Sequence, residues 1–223
     1  KEFRDKLANK DLPDFYKTLN EKPVGYKEKV PNFLLKFFTV YILSLLFLAL
    51  FSFELFHLTT PKSFHEAINI STIITLTISF YFIDHIPILL FLKKTKLITL
   101  MNIVVTLAQF SFGVFFGIKY GIYGFIISNL IISIFSSLFI YTLYQNNLKL
   151  NWPLKKIFVL YVFLFVSCIA IIILRINEVD YLYRLIFKLT LIFSVIIIIL
   201  KLKIFLKEEF DLIFNKIKSF LGQ

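Results

Sequence analysis

A single cysteine, Cys168, occurs among 223 residues, so no intramolecular disulfide and no thiolate metal cluster can be built within the chain. Charge is scarce as well. Asp, Glu, Lys and Arg make up 17% of the residues, against about 25% in a soluble domain. With 58% of the residues apolar and a mean hydropathy of +0.81, an ordinary globular core and a disordered chain are both excluded. Catalytic patterns are missing too: no His/Glu metal spacing, no glycine-rich phosphate loop and no paired loop carboxylates for acid–base work. His57, His65 and His85 fall on separate stretches, and the first two read as solvated interfacial residues. The expectation is a protein that is not an enzyme and needs neither metal nor cofactor.

What the sequence has in abundance is long apolar runs. Six blocks stand out, at about 33–53, 67–92, 97–118, 122–144, 157–174 and 185–200. Each approaches or exceeds the ~17–25 residues that a spanning helix needs. Helices are expected, because an open strand edge leaves backbone groups unpaired in lipid and a barrel needs short alternating segments. The expected fold is all-α: a polytopic transmembrane bundle of six spanning helices. Residues 1–32 form a polar segment ending a preceding helix, 33–204 the transmembrane region, and 205–223 a basic amphipathic tail.

The net charge of +11 follows the same pattern. Nine basic residues lie at or before Lys36, and five lie from Lys201 onward. The connections hold Lys62; Lys93, Lys94 and Lys96; Lys119; Lys149, Lys155 and Lys156; and Arg175, Arg184 and Lys188. Alternate sides thus carry 20 and 5. The positive-inside rule then puts both termini in the cytoplasm of a multi-pass protein. Lysines that flank membrane blocks face anionic headgroups, so the basic balance does not call for nucleic acid.

Polar residues inside the blocks mark surfaces that turn away from lipid. In the third block Asn102, Thr106 and Gln109 share a stripe with Thr99, Gly113 and Gly117. Asn129, Ser133 and Ser136 form another in the fourth, beside Gly121, Gly124 and Ser128. Two readings stand for these stripes: the wall of a cavity for a polar substrate, or interhelical glue. The four glycines are expected to pack the helices closely around a tight turn at Lys119-Tyr120. The second block is rich in hydroxyls and carries Asp84 and His85 ahead of Pro87. An ionised Asp at mid-helix costs about 2.5–3.5 kcal/mol on insertion scales, so it needs water, a partner or a proton. Asp84 with His85 is therefore a candidate to line the cavity, contacting substrate or a coupling cation; the alternative is a structural pair. The fifth and sixth blocks offer little polarity and read as peripheral.

Three stretches resemble those of a known family. Phe51-Ser52-Phe53-Glu54-Leu55-Phe56-His57-Leu58, continuing through Pro61-Lys62-Ser63-Phe64-His65-Glu66-Ala67, resembles a helix end and short loop of Wzx-type polysaccharide flippases. Lys93-Lys94-Thr95-Lys96 is similar to the basic turn before that family's next helix pair. Tyr120-Gly121-Ile122-Tyr123-Gly124-Phe125-Ile126-Ile127-Ser128 is similar to its Tyr-Gly-x-x-Gly-small-small pattern, with Phe125 and Ile126 in place of small residues. The resemblance implies the C-terminal lobe of a two-lobe transporter fold shared with multidrug and toxin extrusion (MATE) proteins. It also implies a longer polypeptide whose N-terminal lobe this chain lacks. The implied work is alternating-access export of undecaprenyl-diphosphate-linked oligosaccharide across a bacterial inner membrane, for capsule or lipopolysaccharide synthesis. The implied partners are the bilayer and that lipid-linked glycan. An ion-coupled small-molecule antiporter of the same superfamily is the alternative, and a membrane-embedded enzyme of envelope synthesis a more distant one.

Overall fold

The computed structural model describes residues 17, 21, 25–65, 67–84 and 95–204. Five α-helices occur among them: α1 Tyr26–Thr59, α2 Ala67–Asp84, α3 Thr95–Leu148, α4 Leu154–Ile176 and α5 Tyr181–Lys201. A 3₁₀ turn, Lys62–Phe64, links α1 to α2. Four of the helices, α1, α3, α4 and α5, are long and apolar enough to cross a membrane, whereas the apolar stretch Ala67–Tyr81 of α2 is shorter than a span. Their outward faces carry exposed Phe47, Phe110, Phe115, Phe135, Phe158 and Phe193. An apolar exterior around apolar helices is what a bilayer solvates. The chain is a polytopic, mostly helical membrane protein.

Two expectations are corrected. Six separate spanning helices do not occur among the described residues: there are five helices and four candidate spans. The third and fourth apolar blocks belong to one helix, and the second block is helical only to Asp84 within the described residues. Nor do these five helices carry the MATE-like lobe that six spans would have made. The tail at 205–223 and His85 lie outside the described residues.

As a straight rod, the 54 residues of α3 would run for about 81 Å, far beyond a hydrocarbon core of about 30 Å. The helix breaks at Gly121, whose φ of 65° and ψ of −155° fall where side chains clash. The chain then folds back on itself. Phe125 lies against Gly113 and Gly117, although 12 and 8 residues separate them in sequence. Residues from Leu100 to Ala108 share one groove with residues from Ile132 to Thr142. Close approach of the two arms depends on Gly124, where a Cβ would run into the Phe116 carbonyl oxygen.

One core joins α1, α2, α4 and α5 through Leu35, Phe38, Ile42, Leu46, Leu50, Leu76, Leu164 and Val195. A second joins the start of α1 to both arms of α3 through Val30, Leu34, Met101, Ile140 and Tyr144. Pro31 sits inside α1 and has no N–H for the Lys27 carbonyl. That oxygen instead accepts the Asn151 N–H at 2.9 Å, which ties the α3–α4 connection to α1.

Most hydroxyls of α2 serve their own helix. Ser71, Thr72, Thr75, Thr77 and Ser79 each donate to a carbonyl three or four residues back. The neighbouring helices grip α2 in another way. Tyr41 of α1, Tyr161 of α4 and Ser137 of α3 donate to the consecutive carbonyls of Ile78, Ser79 and Phe80, at 2.7, 2.9 and 2.8 Å.

Candidate functional site

Charged side chains gather where the end of α1, the start of α2, the end of α4 and the start of α5 meet. Each helix contributes through its own inward stripe. On α4 the buried residues Leu160, Leu164, Cys168 and Ile171 recur at helical spacing, and Arg175 continues the row. On α5 Lys188 heads the row completed by Val195 and Ile199.

Arg175 spans the gap between α4 and the α1–α2 pair. Its Nη1 donates to Thr72 Oγ1 at 2.9 Å; its Nη2 donates to Ser52 Oγ at 2.7 Å and to the Ala49 carbonyl at 3.3 Å. Both hydroxyls pass their own hydrogens to carbonyls of their helices, Ser52 to Ala49 and Thr72 to Ile68. Their lone pairs are thereby turned toward the guanidinium. The Nζ of Lys188, with 2% of its side chain exposed, donates to Glu54 Oε1 at 2.5 Å and lies 5.4 Å from the centre of the Phe51 ring. Arg184 stacks over Phe53 at 4.8 Å and reaches Tyr181 at 6.0 Å. The His57 ring packs on Phe53 and the His65 ring packs on His57, at 4.0 and 3.9 Å between centres.

Arg175 and Lys188 each interact electrostatically with Glu54, and Arg184 interacts with both cations. Among the described residues, three cations thus gather beside the Glu54 carboxylate. Donors remain in reserve, since the Nε atoms of Arg175 and Arg184 are buried without a hydrogen-bond partner; one acceptor, Glu54 Oε2, is likewise unpartnered. A buried excess of positive charge with unused N–H groups is suited to receiving an anion, whose oxygens would take charge-assisted hydrogen bonds.

The residues singled out in the sequence do not converge on one cavity. Asn102 and Thr106 are exposed on the first arm of α3. Gln109 Nε2 donates to the Tyr81 hydroxyl at 3.1 Å and so binds α3 to α2. On the second arm Ser133 is buried and donates to the Leu130 carbonyl, and Ser136 lines the groove between the arms. Asn129 Oδ1 is buried without a partner. Asp84 ends α2 within a segment whose side chains are not described, and His85 lies outside the described residues. Gly113 and Gly124 are buried at the close approach of the arms, Gly117 is half-buried there, and Gly121 makes the reversal.

Sequence reasoning missed the charged cluster because it treated Arg175, Arg184 and Lys188 as loop residues and the last two blocks as peripheral. Extending the apolar stripe by one turn on α4 and by two on α5 finds two of them: Arg175 lies four residues after Ile171, and Lys188 seven before Val195. Among the described residues no group of three His, Cys, Asp or Glu side chains is placed to hold a metal ion. No family model, curated protein or solved structure matches the chain.

Proposed function

We propose that the protein takes part in moving an undecaprenyl-diphosphate-linked oligosaccharide across a bacterial inner membrane, as the resemblance of its sequence to Wzx-type flippases implies. One observation carries the reading: Arg175 and Lys188 share the Glu54 carboxylate at the meeting of four helices, and Arg184 adds a third positive charge beside them. A diphosphate brings two or more negative charges, which match the excess, and its polyprenyl chain suits the apolar exterior. In this reading Arg184 makes first contact, since its guanidinium rests on Phe53 and Tyr181 and no described hydrogen bond commits it. Arg175 and Lys188 hold the charge behind it. The end of the bundle bearing Lys27, Lys29, Lys149, Lys155 and Lys156 faces the cytoplasm, so the cluster serves the opposite leaflet.

The test is equilibrium binding to the chain in phosphatidylcholine nanodiscs, comparing undecaprenyl diphosphate with undecaprenol. The diphosphate should bind more tightly, and Arg184→Gln should weaken it about tenfold while leaving undecaprenol unchanged. Equal binding of the two lipids, or no effect of the substitution, removes the reading. Glu54 favours a second one, ion-coupled export of an amphipathic solute, because its Oε2 is buried with no partner inside the bundle. That reading expects solute movement driven by a proton gradient and lost in Glu54→Gln.

A further inference from the structure

At the other end of the bundle lies an apolar cavity of about 340 Å³. This is within the range of small-ligand sites. It is enclosed by Leu34 and Phe38 of α1, Phe80 of α2, Ile134 of α3 and Tyr161 of α4, with Trp152 from the α3–α4 connection. Two of the hydroxyls nearest to it donate to carbonyls of α2, those of Ser137 and Tyr161, while Tyr141 accepts from Gln145. The walls therefore offer mainly carbon, which suits a hydrocarbon occupant.

Three further observations identify its source. The rim is formed by Leu138, Leu154 and Phe158, all exposed on the outward faces of α3 and α4, so the cavity opens sideways to the bilayer. Trp152 Nε1 is buried and has no hydrogen-bond partner, although an indole N–H removed from water needs an acceptor. Lysines surround this end. Lys149 and Lys155 flank Trp152 in the chain, and Lys27 is brought beside it by the bond from Asn151 N–H to the Lys27 carbonyl. All three are exposed.

We infer that this cavity is a binding site for an anionic glycerophospholipid of the surrounding leaflet. One acyl chain enters between α3 and α4 and fills the apolar space. An ester carbonyl, at the boundary between chain and headgroup, accepts the Trp152 N–H. The phosphate and its negative headgroup face Lys27, Lys149 and Lys155, each adding about fivefold in preference over a zwitterionic lipid. The site is remote from the charged cluster and independent of what that cluster binds.

Trp152 is the one tryptophan in the chain, which gives the site its own reporter. The full chain is placed in phosphatidylcholine nanodiscs, and its fluorescence is quenched with phosphatidylglycerol or phosphatidylcholine brominated on the acyl chains. The brominated phosphatidylglycerol should quench at a several-fold lower mole fraction than the brominated phosphatidylcholine. Ile134→Phe, which fills the cavity, should remove that preference, and so should the surface pair Lys27→Gln/Lys155→Gln. Leu138→Phe at the rim replaces Ile134→Phe if the latter exposes the buried Cys168 to a maleimide. Equal quenching by the two lipids in the unaltered chain overturns the proposal. So does a preference that survives either the filling or the charge removal.

Discussion

Arg175 Nη2 donates to Ser52 Oγ at 2.7 Å, while Ser52 donates its own hydrogen to the Ala49 carbonyl at 2.8 Å. The hydroxyl thus works as an adaptor, turning a satisfied helix carbonyl into an acceptor aimed at a guanidinium. Thr72 does the same from α2. A planar fork reaches both hydroxyls at once, and a lysine ammonium does not. Arg175→Lys should therefore lower stability by about 1–2 kcal/mol despite keeping the charge. Ser52→Ala should cost less, and the double variant should cost less than the two singles added together. Unfolding in detergent, followed through maleimide reaction with the buried Cys168, measures all three. Strict additivity would show that the hydroxyl does not orient the arginine.

The Lys188–Glu54 pair invites the opposite experiment. Lys188 is almost wholly enclosed, and Glu54 keeps 21% of its side chain exposed. Breaking such a pair from one side leaves a buried charge without compensation, at about 3–5 kcal/mol. Replacing both partners with apolar residues removes the desolvation cost together with the attraction. Glu54→Gln should accordingly be much less stable than Glu54→Leu/Lys188→Met, as read from the midpoint of thermal unfolding in the same detergent. If the double variant is as unstable as the single, the pair contributes more than charge neutralisation.

Much of the architecture was legible because lipid imposes a simple length rule on apolar runs. The blocks at 33–53, 157–174 and 185–200 lie inside α1, α4 and α5, each of which extends beyond its block. What the rule misses is how far a helix continues past its apolar part. Arg175 ends its block and Lys188 is counted with the connection before the last one, yet both are helical and turn inward because partners await them across the bundle. The stripe at Asn102 and Thr106 shows another limit. Helical spacing gives residues a common face but does not say whether that face looks inward, and here it is exposed. The tight turn between the third and fourth blocks was readable from its glycines, though only the backbone shows that the reversal falls on Gly121.

Three of the four glycines of that hairpin should not respond alike. At Gly113 an added Cβ meets the ring of Phe125 at 2.7 Å, and a ring can shift. At Gly124 it meets backbone at Phe116, which cannot move without the arm. At Gly121 there is space, but the positive φ strains any side chain by about 1–3 kcal/mol. Gly113→Ala should be the mildest of the three, and trimming Phe125 to Ala in the same chain should relieve its clash. Gly124→Ala should be the most damaging and insensitive to Phe125→Ala. Stability of the purified variants, with Cys168 accessibility as the sign of a lost fold, decides the order. A Gly113→Ala variant as unstable as Gly124→Ala would mean that the Phe125 ring is held as firmly as backbone.

The grip on α2 makes a prediction about where the bundle opens first. Tyr41, Ser137 and Tyr161 come from three different helices and donate to three consecutive carbonyls, those of Ile78, Ser79 and Phe80. Tyr161 also stacks on Phe80, with ring centres 4.8 Å apart. Interhelical hydrogen bonds within a bilayer contribute about 0.6 kcal/mol each on average, so no single hydroxyl holds the helix. Together they oppose withdrawal of the shortest apolar helix, which has the least surface of its own for lipid to anchor. Tyr161→Phe keeps the stack and removes only one bond, and it should change global stability by less than about 1 kcal/mol. The combined change Tyr41→Phe/Ser137→Ala/Tyr161→Phe should loosen α2 selectively. Hydrogen exchange is the measurement: amides of residues 70–81 should exchange about tenfold faster or more, while those of α4 stay protected. Uniform acceleration across all helices would instead mean that the three hydroxyls stabilise the bundle as a whole.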